Sequence, residues 1–390
     1  MSSAFPAALR PIRLMFMAFI AVFLSACEMN LGGNGPVVNT KTAVPVALLV
    51  PFGSEDSNND VLATSLQNAA QLAVSDLGDV KIDLRIYNTA GTTAGAAEAA
   101  TKAVNEGAKI ILGPVFAEAA NAAGAAVASR GVSVLSFSNN TEIAGGNVFV
   151  LGHTFENTAD RLVSYAASKG LSNVLVVHAN NLTGTVGQKA VQRAVSNAGS
   201  NYTGSASYEF SQQGVISAVR DIALQVRDTN TDTIVFASDT AGALPILAQL
   251  LPENGINPTD IKFMGLTRWD IPTQTLSLGG LQGGWFALPD PSLTGSFADR
   301  YSKAYGRQPH PLAGIAYDGV AALGALISSG KPDAFSRENL TQSSGFAGVN
   351  GAFRLLSDGT NERAMAVVEI ENKQVKVVDP APRSFGAIGF

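Results

Sequence analysis

From Val44 onward the chain repeats one phrase: a short apolar run, a turn, then a longer stretch with apolar residues at helical spacing. VPVALLV, IDLRIY, KIILG, VSVLSF, NVLVVH, DTIVFAS and IKFMG are the short runs. Runs this continuous in apolar side chains suit strands covered on both faces, and connections long enough to hold a helix make neighbouring strands parallel. The rhythm therefore predicts an α/β fold. One intervening segment shows the helical pattern clearly: Leu62, Leu66, Ala69, Ala73 and Leu77 share a face, Asp60 is placed to cap the start and Gly78 to stop it. Near the C-terminus the pattern changes to AMAVVEI-ENK-QVKVV, which predicts an antiparallel hairpin on a sheet edge. At 390 residues the chain exceeds one ordinary domain, and 46% hydrophobic content supplies sizeable cores.

The N-terminus follows other rules. Arg10 and Arg13 precede an apolar run over 14–24 that is short for a membrane span, the pattern of a signal peptide. The run ends in Leu24-Ser25-Ala26-Cys27, which resembles the bacterial lipobox, whose cysteine thiol takes the lipid. Cys27 is the chain's one cysteine, so no intramolecular disulfide can form and stability must come from packing. Residues 28–43, rich in Gly and Asn, predict a flexible tether. The net charge of −5, without a basic run in the body, gives no electrostatic footprint for nucleic acid.

The stretch 110–140, IILGPVFAEAANAAGAAVASRGVSVLSFSNN, joins a strand, a Gly-Pro corner, an alanine-rich helix and a second strand ending in Ser-Asn-Asn. With the preceding YNTAGTTAGAAEAATKAVNEGAK it resembles the type I periplasmic solute-binding proteins, especially the leucine/isoleucine/valine-binding branch, and the likeness covers 44–378. LSFSNNTEIAGGNVFVLG, LTRWDIP, GGWFALPDP and GFAGVNGAFRL are similar to a subset with this fold, the lipoproteins known as penicillin-binding protein activators.

The resemblance implies two doubly wound lobes with parallel sheets joined by three crossing segments, near 149–154, near 285–289 and after 346. Lobe one then comprises 44–152 plus 286–345, and lobe two 153–285 plus 346–380, with a tail at 381–390. The implied cleft lies outside the carboxyl ends of the strands. Phe52, Asn88, Phe116, Ser138, Asn139, Asn140, His153, Asn180, Asn181, Ser238, Asp239, Arg268 and Trp269 fall at those ends or in the loops after them. Asn and Ser there serve equally as turn formers and helix caps. The amino-acid-binding relatives place a serine hydroxyl where Ala117 stands, for the ligand carboxylate, and an acid where Thr267 stands, for the ligand ammonium. Losing both argues against a free α-amino acid in the usual pose, because an ammonium closed into a cleft without a counter-charge is costly. Arg268 beside Trp269 suits an anionic or sugar-like ligand or an anchor for a protein partner.

Catalysis is not expected. His153, His178 and His310 are scattered, and HExxH, Walker, GxGxxG and GxSxG motifs are missing, so neither a cofactor nor a metal is implied. Two functions follow from the resemblance. The first expectation is a non-catalytic envelope lipoprotein that contacts a peptidoglycan synthase (penicillin-binding protein) and favours its active state. The alternative is the substrate-binding subunit of an ABC importer, which takes a small polar ligand into the cleft and delivers it to an ABC permease. Either is expected in the periplasm with a lipid anchor. Glu28, in place of the aspartate tied to inner-membrane retention, points to the outer membrane.

Overall fold

The computed structural model describes residues 35–238 and 240–385. Cys27, the signal peptide, tether residues 28–34, Asp239 and tail residues 386–390 lie outside the described residues.

The first lobe carries five parallel strands: β1 (Val44–Val50), β2 (Ile82–Asn88), β3 (Ile110–Leu112), β4 (Val134–Ser136) and β5 (Val148–Val150), in the order β2-β1-β3-β4-β5. Alternate residues of one strand feed two cores. Val46, Leu48 and Val50 of β1 join the core under the helices Asn58–Asp76, Pro291–Tyr305 and Ala313–Ser328. Ala47 and Leu49 join the core under the helices Thr93–Asn105 and Ala117–Val127. Both faces are covered, which is why the strand sequence is almost wholly apolar.

The second lobe repeats the plan with β6 (Asn173–Ala179), β7 (Asn201–Tyr208), β8 (Thr233–Ala237), β9 (Lys262–Gly265) and β10 (Trp285–Leu288), all parallel. Leu175 and Val177 face one core, Val174 and Val176 the other. A small antiparallel sheet then forms from β11 (Phe346–Gly348), β12 (Gly351–Leu355) and β13 (Asn361–Arg363). Finally β14 (Ala366–Glu371) and β15 (Gln374–Asp379) form the expected hairpin, which completes the order β15-β14-β10-β9-β8-β6-β7. Its turn residues Asn372 and Lys373 both have positive φ, as a two-residue hairpin turn requires.

Several expectations need correction. The boundary drawn at 285/286 cuts β10, which pairs with β9 and β14 and so belongs to the second lobe. The boundary at 345/346 falls too early, because Phe346, Phe353 and Leu355 pack in the first lobe's core and the third crossing comes between Arg363 and Ala366. The tether is docked in its described part: Val38 is buried and its N–H donates to the Pro332 carbonyl at 2.7 Å. In the tail, Ala381 packs on the second lobe's core. Asp60 lies inside the first turn of its helix, where its Oδ1 accepts from the Gly53 N–H at 3.2 Å, and Ser57 holds the cap position.

Candidate functional site

In a doubly wound sheet, a crevice opens where the strand order reverses. In the first lobe that point lies between β1 and β3, so the loop holding Phe52 and the Gly113-Pro114 corner leading to Phe116 border it. In the second lobe it lies between β6 and β8, bordered by Asn180 and Ser238. Asp239, next in that loop, lies outside the described residues.

On the first lobe, the helix Ala117–Val127 starts without a side-chain cap: Phe116 occupies the cap position in extended backbone, and Ala117 has no hydroxyl to add. Phe116 is among the exposed large apolar residues, while Phe52 is half-buried against the core. Asn88 and Asn139 are exposed. Ser138 and Asn140 are occupied by local turns: Ser138 Oγ accepts from the Asn140 N–H at 3.1 Å, and Asn140 Oδ1 accepts from the Glu142 N–H at 2.9 Å. Their turn-forming role is thus the one seen.

On the second lobe, Asn180 Nδ2 donates to Glu209 at 2.9 Å, and Asn181 caps the helix Leu182–Asn197 through the Gly184 N–H at 2.8 Å. Ser238 is buried and accepts from the Tyr208 hydroxyl at 2.9 Å, while the Thr267 hydroxyl donates to the Ser238 carbonyl at 3.1 Å. Arg268 is about one-third exposed and bonds Asp270 in its own loop through Nε at 2.9 Å and through Nη2.

Trp269 departs from expectation. It is 0% exposed, packed between Phe236 and Phe286 with ring centroids 6.5 and 6.0 Å away. Gly265 and Gly284 make this possible: a Cβ on Gly265 would collide with the indole Nε1, and one on Gly284 would come within 2.6 Å of the ring. The tryptophan pins its loop to the lobe and offers nothing to the cleft. Adjacent residues in an irregular loop point in different directions, and here the charged one stays out while the aromatic one enters the core.

A densely bonded polar cluster lies at the crossings. Asn361 Nδ2 donates to the Val150 and Gly152 carbonyls at 2.7 and 2.9 Å, and Arg363 Nε to the Leu151 carbonyl at 2.8 Å, so β13, which leads into the third crossing, grips the first. Asn157 Nδ2 donates to the Asn361 carbonyl at 3.0 Å and ties in the second lobe's leading helix. Arg363 Nη1 meets Asp318 Oδ2 at 2.9 Å, and its guanidinium lies over the Phe353 ring. Asp318, fully buried, also accepts from the Val349 N–H, the Asn350 N–H and Asn350 Nδ2. Burial pushes the Asp318 carboxyl up, opposed by Arg363 and the Asn350 bonds. His153 sits on the first crossing, half-buried as a residue and with its Nδ1 fully buried. Burial, then the positive charges of Arg363 and Arg268, hold it well below the ordinary imidazole range. It is therefore neutral at pH 7.

The sequence did not single out Asn157, Asp318, Asn350, Asn361 or Arg363. Asp318 carried a usable signal: one acid within AGIAYDGVAALGALIS, an otherwise apolar helix, needs a buried partner. Its partner lies 45 residues away, beyond the reach of local spacing.

Among the described residues no group of three or more His, Cys, Asp or Glu side chains could hold a metal. A depression of about 590 Å³ lined by Ala97, Glu98, Thr101, Lys102, Asn105 and Glu106 lies on the second half of one helix, away from the strands' carboxyl ends.

A family model described as periplasmic binding protein matches residues 43–374. The chain belongs to that family. This periplasmic binding protein is similar in fold to a branched-chain amino acid ABC transporter periplasmic ligand-binding protein of Burkholderia xenovorans LB400, at TM-score 0.67 and 18% identity, over 89% of this chain and 95% of that one. It is also similar to an ABC transporter substrate-binding protein of Desulfitobacterium hafniense in complex with Leu, at TM-score 0.64 and 16% identity, over 86% and 100% of the two chains. A third similar structure is a solute-binding protein of an ABC transporter from Rhodopseudomonas palustris BisB5 in complex with 3,4-dihydroxybenzoic acid, at TM-score 0.58 and 17% identity, over 89% and 98%.

Proposed function

We propose that this protein is the substrate-binding subunit of an ABC importer, which closes its two lobes on a small organic carboxylate and presents it to a membrane permease. The observation that carries the proposal is the architecture itself. Two doubly wound lobes set their switch-point loops at either side of three crossings, as the family membership and the likeness to substrate-binding proteins over most of the chain would have it. Two of those similar proteins hold ligands that share a carboxyl group, Leu and 3,4-dihydroxybenzoic acid. A free α-amino acid suits this cleft poorly. Ala117 brings no hydroxyl, Thr267 brings no charge, and Asp270 is engaged with Arg268.

The phrases shared with the penicillin-binding protein activators have an internal explanation. In LTRWDIP the tryptophan fills the second core, and in GFAGVNGAFRL Asn350 and Phe353 build the cluster around Asp318. Packing accounts for them without a peptidoglycan synthase. Attachment through a lipidated Cys27, with the protein held at the outer membrane, belongs to the same proposal and rests on the lipobox and Glu28.

The test is a thermal-shift screen of small carboxylates. A ligand at 100 times its dissociation constant adds about 2.7 kcal/mol to stability. Saturable stabilisation by one or more is the expected result. No shift across the panel, with co-purification of a peptidoglycan synthase from solubilised envelopes, would reverse the assignment.

A further inference from the structure

Polar atoms buried in a folded protein find partners, and those that do not ask for an explanation. Two such atoms beside the crossings are able to donate to an anion: Arg363 Nη2, and His153 Nδ1 in the tautomer that carries the ring proton there, both buried without a hydrogen-bond partner. The Arg363 side chain is only 2% exposed, and its other nitrogens are committed, Nε to the Leu151 carbonyl and Nη1 to Asp318. Asp318 spends its oxygens on Arg363 Nη1 and on three N–H groups of Val349 and Asn350, so it leaves the second arm of the fork unserved. A guanidinium arm taken out of water with no acceptor, its positive charge felt by an imidazole whose Nδ1 is in the same condition, is an arrangement that a carboxylate, an acceptor with two oxygens, would complete. Two further unpartnered atoms nearby, Asn157 Oδ1 and Asn361 Oδ1, are acceptors and call for a water or a ligand hydroxyl.

We infer that Arg363 and His153 form the seat of the ligand's carboxylate, at the crossings between the lobes instead of at the head of the helix Ala117–Val127. This deepens the substrate-binding proposal and rests on it. The seat has a simple logic. Arg363 ends β13, immediately before the third crossing, and His153 lies on the first, just before the helix Phe155–Ser168, so an anion bridging them ties the root of one crossing to another.

The experiment pairs acids with their neutral amides: benzoate with benzamide, and 4-methylpentanoate with 4-methylpentanamide, titrated by calorimetry into the protein freed of its lipid. The wild type is expected to bind at least one acid ten-fold or more tighter than its amide. His153→Phe and Arg363→Gln, each checked for a cooperative thermal transition, are expected to lose five-fold or more in acid affinity with the amide unchanged. Should Arg363→Gln fail to fold, His153→Phe alone decides. Equal binding of acid and amide by the wild type overturns the seat while leaving the substrate-binding function in place. Wild-type acid affinity in a folded variant does the same, and assigns the unpartnered atoms to buried water. Failure of the wild type to bind any of the four compounds, or any member of the thermal-shift panel, removes the substrate-binding function and the seat with it.

Discussion

Replacing Trp269 with alanine tests whether this loop is anchored from inside. A buried aromatic side chain removes about 150–250 Å² from water, and at about 25 cal/mol per Å² that is worth roughly 4–6 kcal/mol before any relaxation. The space left behind is bounded by Phe236, Phe286 and the two glycine backbones at 265 and 284, which have no side chains to collapse into it. Poor collapse places the cost toward the upper part of the usual range of about 3–5 kcal/mol for such a truncation. Urea unfolding followed by far-UV circular dichroism reads the loss directly. Trp269→Phe serves as a control and is expected to recover more than half of it. A loss under about 1 kcal/mol for Trp269→Ala would refute the burial argument, since a tryptophan lying on a cleft rim costs little on removal.

Asp318→Ala strands the Arg363 guanidinium in the core, and a loss of about 3–5 kcal/mol is expected in the same unfolding assay. His153 carries a pH signature. Its folded-state pKa is depressed below the unfolded value, so its contribution is fully present above about pH 6.5 and is lost progressively as pH falls from there toward the depressed value. Thermal unfolding of wild type and His153→Phe between pH 7.5 and 5 is expected to show a smaller loss on acidification in the variant. Leucine, isoleucine and valine are expected to bind with dissociation constants weaker than about 1 mM, or less than about 4.1 kcal/mol, and micromolar calorimetric binding of any of them would contradict the altered cleft. Cys27→Ser is expected to abolish fatty-acid labelling and move the protein out of the detergent phase.

The lobes were legible in the sequence because their signal is periodic and local. Val46, Leu48 and Val50 against Ala47 and Leu49 form an alternation that any strand covered on both faces must show. The sheet Phe346–Arg363 escaped notice because its strands are only three to five residues long and punctuated by glycine, too short to establish a period. Site residues fared differently. Asn140 and Asn181 sit at strand exits as expected, yet they serve the turns they sit in. Trp269 enters the core instead of the cleft, since adjacency to Arg268 says nothing about which way a loop side chain turns. The cluster of Asp318, Asn361 and Arg363 was invisible to spacing, since its contacts join residues tens to hundreds of positions apart.

The way the chain weaves between lobes also sets a clock. The first lobe's core needs Phe297, Phe346, Phe353 and Leu355, and the second lobe's cores need Val367, Val368 and Ile370. Neither lobe can finish before the last tenth of the polypeptide is reached. Both cores therefore wait for the C-terminal segment before they can close. Loss of the segment from Phe346 onward leaves two unfinished lobes instead of one finished and one missing, so such truncated products become substrates for proteolysis and never independent binding modules.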